Sequence, residues 1–160
     1  MKILFLGRKF DIYSKKLLKF LKKKNSVDII WSDKKQKKLK INVKKKYDYI
    51  ICFRSFYILS KKHIKSAKIA AINFHPGTPK YRGIGCINLA LLKNEKFYGS
   101  TAHMINEKID NGKIIDVRYF KIKKSDNLPK LLSKTHKNMF IQSKEIIEKI
   151  IQRPENLKKL

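Results

Sequence analysis

The stretch Ile69-Ala70-Ala71-Ile72-Asn73-Phe74-His75-Pro76-Gly77 decides the architecture. Its first part, Ile69–Phe74, is apolar enough to read as a strand, and the Pro-Gly pair turns the chain out of it. Three more short apolar runs lie towards the N-terminus: Lys2–Leu6, which ends at Gly7 as if entering a turn, Val27–Trp31 and Tyr49–Phe53. They are continuous rather than alternating, the mark of strands covered on both faces. Between the first two, Asp11–Lys24 sets Ile12, Leu17, Leu18, Phe20 and Leu21 among lysines, an amphipathic helix with Asp11 as its N-cap. Ser60–Ala67 reads as a short helix, and the lysine-dominated Lys34–Lys46 as a solvated helix or loop at the sheet edge. Towards the C-terminus come a Pro- and Gly-rich loop, His75–Gly85, and a helical stretch, Cys86–Lys93. Two strands, Tyr98–Ile105 and Ile114–Ile122, follow across a polar turn, and then a long helix, Leu128–Ile151, with Pro129 near its start. This succession predicts an α/β chain: a mostly parallel sheet with helices on both faces and an antiparallel strand near one edge.

The chain has 160 residues, 42% of them hydrophobic, the size of one domain with a real core. That excludes a disordered tail. No apolar run approaches the ~20 residues of a membrane span, and the N-terminal run is too short for a signal peptide. A soluble, cytoplasmic protein is expected, with no membrane partner. Cys52 and Cys86 lack metal-ligand spacing and read as reduced thiols, and no metal is expected. The formal charge of +28 suggests nucleic acid as a partner, because basic surfaces release counterions from phosphate backbones. Only five of the forty basic residues are arginine, however, and the lysines are spread along the chain. Arginine is the side chain suited to bidentate phosphate and base contacts, so the composition argues against that partner. A non-catalytic basic RNA-binding domain on the same fold stands as the rival reading, and the charge favours anionic ligands in either case.

In a sheet of this kind ligands sit beyond the carboxyl ends of the strands. Asn73 and His75 occupy such an end and project to one side, Phe74 to the other. Pro76 keeps His75 extended, and Gly77 and Pro79 turn the chain away to leave room above the pair. An amide donor beside an imidazole can stabilise an oxyanion. A carboxylate is available from Asp110, in the polar turn Asn106-Glu107-Lys108-Ile109-Asp110-Asn111-Gly112.

Together these segments resemble the folate-dependent formyltransferase family, over Tyr49 to Phe120. Ile72–Gly83, "INFHPGTPKYRG", looks like the family's Asn-x-His-Pro signature followed by Lys-Tyr-Arg-Gly. Leu89–Asn94, Gly99–His103 and Ile109–Ile115 fall in the family's order and spacing. The resemblance implies a Rossmann-like fold and transfer of a formyl group from N10-formyltetrahydrofolate, as co-substrate, to an amine through a tetrahedral intermediate. Asn73 would then hold the formyl oxygen. His75 would donate to that oxygen or take the amine's proton, with Asp110 orienting and charging it. A carboxylate beside the imidazole is expected to raise its pKa. The pterin would lie between Phe56, Tyr57, Ile58 and Leu59 on one side and Asn106, Glu107, Lys108 and Ile109 on the other.

The chain departs from the pattern in three places. The loop after His75 is a residue shorter than the family's usual form, which reshapes the acceptor mouth. Gly7-Arg8-Lys9-Phe10-Asp11 lacks the glycine-rich phosphate cradle of purine-pathway members. The chain also stops at Leu160, whereas members that formylate methionyl-tRNA carry a further C-terminal barrel. The expectation is a single catalytic domain over residues 1–160 acting on a small amine, such as a nucleotide-linked amino sugar. Arg8, Lys9, Lys80 and Arg82 are the candidate contacts to the acceptor's phosphate.

Overall fold

A computed structural model describes residues 1–33, 44–155 and 157. Six strands form one sheet: β1 (Lys2–Arg8), β2 (Ser26–Ser32), β3 (Tyr47–Phe53), β4 (Ala67–His75), β5 (Phe97–Met104) and β6 (Ile114–Lys121). Their order across the sheet is β2-β1-β3-β4-β5-β6. β1 pairs in parallel with β2 and β3, and β3 with β4. β5 runs antiparallel to both β4 and β6, so the one reversed strand lies just inside the edge. The sheet is therefore the Rossmann-like one expected. Of the lysine-rich segment Lys34–Lys46, residues 34–43 lie outside the described residues; Lys45 ion-pairs with Asp28 of β2.

Gly7 is strand, not turn. It pairs with Trp31 and Phe53, and a Cβ there would strike the Trp31 and Phe5 rings. Because side chains alternate along each strand, Ile3, Phe5, Tyr49, Ile51, Ala70, Ile72 and Phe74 face one core. Two helices cover that face, α1 (Ile12–Lys22) and α4 (Leu128–Gln152). Asp11 caps α1 by accepting from the Ser14 N–H at 2.6 Å. Leu17 and Leu21 are buried from it, while Ile12 stays exposed at 60%. Asn127 caps α4 in the same way. α4 buries Leu131, Met139, Ile146, Ile147 and Ile150 along one stripe, each apolar side chain contributing about 2 kcal/mol.

The opposite face is thinner. Leu4, Leu6, Ile50, Cys52 and Ala71 pack under the short helix α2 (Lys61–Ile64) and the loop residues Tyr57 and Leu59. A third cluster joins α3 (Cys86–Leu92) to Tyr81, Tyr98 and Leu131. No helix among the described residues is long and apolar enough to cross a membrane.

Candidate active site

The thin face is open at the carboxyl ends of the parallel strands, and there β4 presents its polar residues. Alternation that sends Ile72 and Phe74 into the helix-covered core puts Asn73 and His75 on the other side. Asn73 pairs with Cys52 of β3 and His103 of β5, and His75 with Thr101. The antiparallel turn-back thus brings a second histidine beside the asparagine. The loop from Ile105 to Lys113 then folds back over the strand ends. Gly112 lies so close to the Met104 carbonyl that a Cβ would collide with backbone. This close approach lets Asp110, itself in the left-handed region at φ 47, aim its carboxylate inwards.

The four side chains meet. Asn73 Nδ2 donates to Asp110 Oδ1 at 3.0 Å and lies 3.1 Å from His103 Nε2. His75 Nδ1 is 3.3 Å from Asp110 Oδ2, and His103 Nε2 is 3.3 Å from Oδ1. The Gly83 N–H donates to Oδ2 at 3.0 Å. The outer ring nitrogens fix the tautomers. His75 Nε2 is 2.9 Å from the Tyr81 carbonyl and His103 Nδ1 is 2.8 Å from that of Met104. A carbonyl only accepts, so these two nitrogens carry the hydrogens. In the neutral rings His75 Nδ1 and His103 Nε2 are therefore lone pairs, and both Asn73 N–H groups are engaged.

Burial pushes the His75 imidazole below its ordinary pKa. Asp110 and the Tyr81 carbonyl pull it back up without cancelling that shift, and His103 adds to it. The expectation of a raised pKa is corrected: the ring is 6% exposed, and at that burial desolvation outweighs one carboxylate. Asp110 shows the reverse balance. Burial pulls its carboxyl up, but a hydrogen bond from His103 and the charge of His75, each supplied by the protonated form of the ring, hold it below the usual carboxylate range together with the Gly83 N–H. Cys86 stands behind the pair, its Sγ 3.6 Å from His75 Nε2 and 3.2 Å from the Gly83 carbonyl. Burial pushes this thiol up to about 11, so it is not a nucleophile at neutral pH.

Asn73, His75, His103 and Asp110 line a cleft of about 550 Å³. Phe56, Tyr57, Ile58, Leu59, Asn106, Lys108 and Ile109, which the resemblance assigns to the walls around a pterin, line it too. Glu107 does not; it is exposed and lies 3.4 Å from Lys61. Of the four expected acceptor contacts only Arg8 reaches the cleft. The other three stand outside it. Lys9 sits over the exposed Phe10 ring and Lys80 pairs with Glu95. Arg82 donates to Asn111 and lines a smaller hollow of about 40 Å³, which His75, His103 and Asp110 line as well. Cleft residues that the sequence reading missed are His103, Cys86, Arg54 and His136. Among the described residues no cluster of His, Cys, Asp or Glu could hold a metal ion.

The family model for formyl transferase matches residues 2–144. The bifunctional polymyxin resistance protein ArnA of Wigglesworthia glossinidia brevipalpis is 35% identical over 105 residues, 64% of this chain and 16% of that protein. Methionyl-tRNA formyltransferase of Chlorobium limicola is 34% identical over 86 residues, 53% of this chain and 27% of the relative. The chain thus spans well under half the length of these curated relatives. Phosphoribosylglycinamide formyltransferase from Bacillus halodurans superposes with a TM-score of 0.80 over 98% of both chains, at 17% identity. An N-formyltransferase from Helicobacter canadensis, solved with folinic acid and dTDP-3-aminofucose, superposes with a TM-score of 0.77 over 95% of this chain and 65% of the other, at 23% identity. With the match running through nearly the whole sheet and both sides of the cleft, the chain belongs to the formyl transferase family.

Proposed function

We propose that the protein transfers a formyl group from N10-formyltetrahydrofolate to the primary amine of a small acceptor. The observation that carries this is the convergence of Asn73, His75 and Asp110, distant in sequence, within 3.0–3.3 Å at one cleft. The amine nitrogen attacks the formyl carbon, the carbonyl π pair moves to oxygen, and the C–N10 bond breaks as the intermediate collapses. An N–H of Asn73, given up by Asp110 or His103, holds the developing oxyanion. His75, neutral at pH 7, offers its Nδ1 lone pair to the amine's proton, and the imidazolium so formed gains an ion pair with Asp110. That proton can then pass to N10 as it leaves. The lowered pKa of His75 favours this base role over the donor role.

Phe56–Leu59 and the Asn106–Ile109 loop, Glu107 excepted, would seat the pterin, since they form the walls beside the catalytic groups. Two structural neighbours solved with a folate bound, folinic acid in one and tetrahydrofolic acid in the other, support the donor. The acceptor class we favour is a nucleotide-linked amino sugar, the kind of ligand bound by the Helicobacter canadensis enzyme. Methionyl-tRNA and phosphoribosyl amines are the competing acceptors, so all three belong in the assay.

Incubating the protein with N10-formyltetrahydrofolate and this panel is expected to release tetrahydrofolate with one acceptor well above the amine-free rate. His75→Ala is expected to lower that release at least ~100-fold. Undiminished turnover in the variant would overturn the assignment. The RNA-binding reading predicts instead submicromolar RNA affinity with a steep salt slope, indifferent to Asp110→Asn.

A further inference from the structure

We propose that the outer face of α1, together with the Phe10 tip in front of it, docks the protein on an anionic membrane surface. Every exposed residue of α1 except Ile12 is a lysine: Lys15, Lys16, Lys19 and Lys22, with Lys23 exposed at the C-cap. Spacings of three and four residues place Ile12 and these lysines on one stripe. The opposite side of the helix is packed away, with Ser14, Leu17 and Leu21 buried.

No carboxylate relieves this charge. α1 contains no acidic residue, and among the described residues none of the five lysines makes an ion pair. Like charges one turn apart destabilise the helix that carries them. On the neighbouring α4, Lys144 lies 5.3 Å from the Phe20 ring centroid of α1 and extends the basic surface, while Glu145 is turned to Arg118. Elsewhere acidic residues do answer lysines: Asp28 pairs with Lys45, Glu95 with Lys80 and Asp126 with Lys134. An unrelieved stripe of this kind is complementary to an extended anionic surface.

The apolar tip is the second observation. Phe10 is 79% exposed and Ile12 60%. Phe10 also holds the left-handed region at φ 63, a backbone state costly for a bulky side chain. The ring gains no core packing in return, and the interface of a bilayer is an apolar phase that it can enter.

These features select a bilayer over a nucleic acid. The stripe holds no arginine, the side chain that forks onto a phosphate, and Ile12 offers a base neither a hydrogen bond nor a stacking plane. Lysines gain from the potential of an anionic bilayer without fixed geometry, and a Phe–Ile tip gains from its acyl boundary. Absence of a spanning run grounded the expectation of no membrane partner; docking at the surface needs no span.

Sedimentation of the full chain with lipid vesicles at 0.15 M salt tests this. Vesicles of phosphatidylcholine with about one third phosphatidylserine are expected to bind the protein, and pure phosphatidylcholine vesicles at least ~tenfold less. Lys15→Gln/Lys19→Gln/Lys22→Gln should weaken binding to the mixed vesicles at least ~tenfold. Lys62→Gln/Lys96→Gln/Lys124→Gln removes exposed lysines elsewhere, leaves the same net charge and should weaken it less than ~twofold. Phe10→Ser/Ile12→Ser should weaken it at least ~threefold with no change in charge. Equal loss in the two lysine variants means diffuse attraction of the whole molecule and overturns the proposal. So does a serine variant that binds as the parent protein does, or binding without preference for phosphatidylserine. A single-stranded RNA is titrated in parallel. Loss of RNA affinity in the α1 lysine variant with vesicle binding unchanged would assign the stripe to RNA and overturn the proposal as well. No folate or acceptor enters the assay, so vesicle binding is decided whether or not the protein proves to transfer a formyl group.

Discussion

Asn73 has two amide hydrogens and spends both, one on Asp110 Oδ1 and one towards the His103 lone pair. In the proposed reaction a formyl oxygen entering the cleft must take one of them. The bond to a carboxylate is the stronger, so the contact to His103 is the one expected to yield. Asp110→Asn would replace the charge with an amide that competes for the same hydrogens and no longer rewards protonation of His75. Steady-state kinetics should show kcat falling ~100-fold or more with the folate KM changed little. A loss confined to KM would place Asp110 in binding alone. The pH dependence follows from the direction of the His75 shift. With the neutral ring as the proposed base and burial holding its pKa below 6.5, kcat/KM should rise with pH through an apparent pKa under 6.5 and stay flat to pH 8. An acid limb centred above 6.5 would show that the carboxylate, not burial, governs the ring.

At the scale of elements, the site depends on how closely the loop between β5 and β6 lies on the strand it leaves. Gly112→Ala puts a methyl group into the Met104 carbonyl and must lift the loop that carries Asp110 two residues earlier. The expected result is at least a tenfold loss of kcat/KM with the urea midpoint little changed, because the loop residues on either side are not part of the core clusters. Met139→Ala in α4 should do the opposite. Its side chain is fully buried, so truncation costs about 2–4 kcal/mol of stability while the cleft residues keep their places. Sequence periodicity was enough to find α4 and the four parallel strands, since an apolar stripe or run is a local signal. It also put Asn73 and His75 on one face, because alternation along a single strand is local too. In the sequence His103 is no more than the end of the segment Gly99–His103. Its role depends on the register of β5 against β4, with Asn73 opposite His103, and register is set by pairing across thirty residues. Arg54 and His136 escaped for the same reason: only the packing of α4 over the strand ends brings them to one corner. Lys80 and Arg82 find Glu95 and Asn111, partners that reach alone does not single out for a long side chain.

Over the whole molecule, 40 basic residues against 12 acidic ones make the folded state repel itself, and raising salt from 0.01 to 0.15 M should raise the urea midpoint. Histidines that fold without their protons add a pH dependence with a definite sign. Burial, and after it the charges of Arg54 and Arg8, push His136 down from 6.5 to about 4, with Asp11 opposing. A lowered pKa means that between about pH 6.5 and 4 the unfolded chain binds a proton that the folded chain refuses. The contribution to stability is therefore complete above pH 6.5 and is lost as the pH falls through that window, up to about 3 kcal/mol for this group, with His75 adding in the same direction. Urea unfolding at constant ionic strength should show the midpoint dropping between pH 7 and 4.5, and His136→Gln should flatten the drop. The distinction from general acid unfolding lies in the position of the decline. Asp110 has a folded pKa below its unfolded one, so its share is retained until the pH nears 4. A decline that begins only below pH 4.5, or a slope that His136→Gln leaves unchanged, would mean that this imidazole is solvated in the native protein, and the packed corner between β1, β3 and α4 would have to be looser than it stands here.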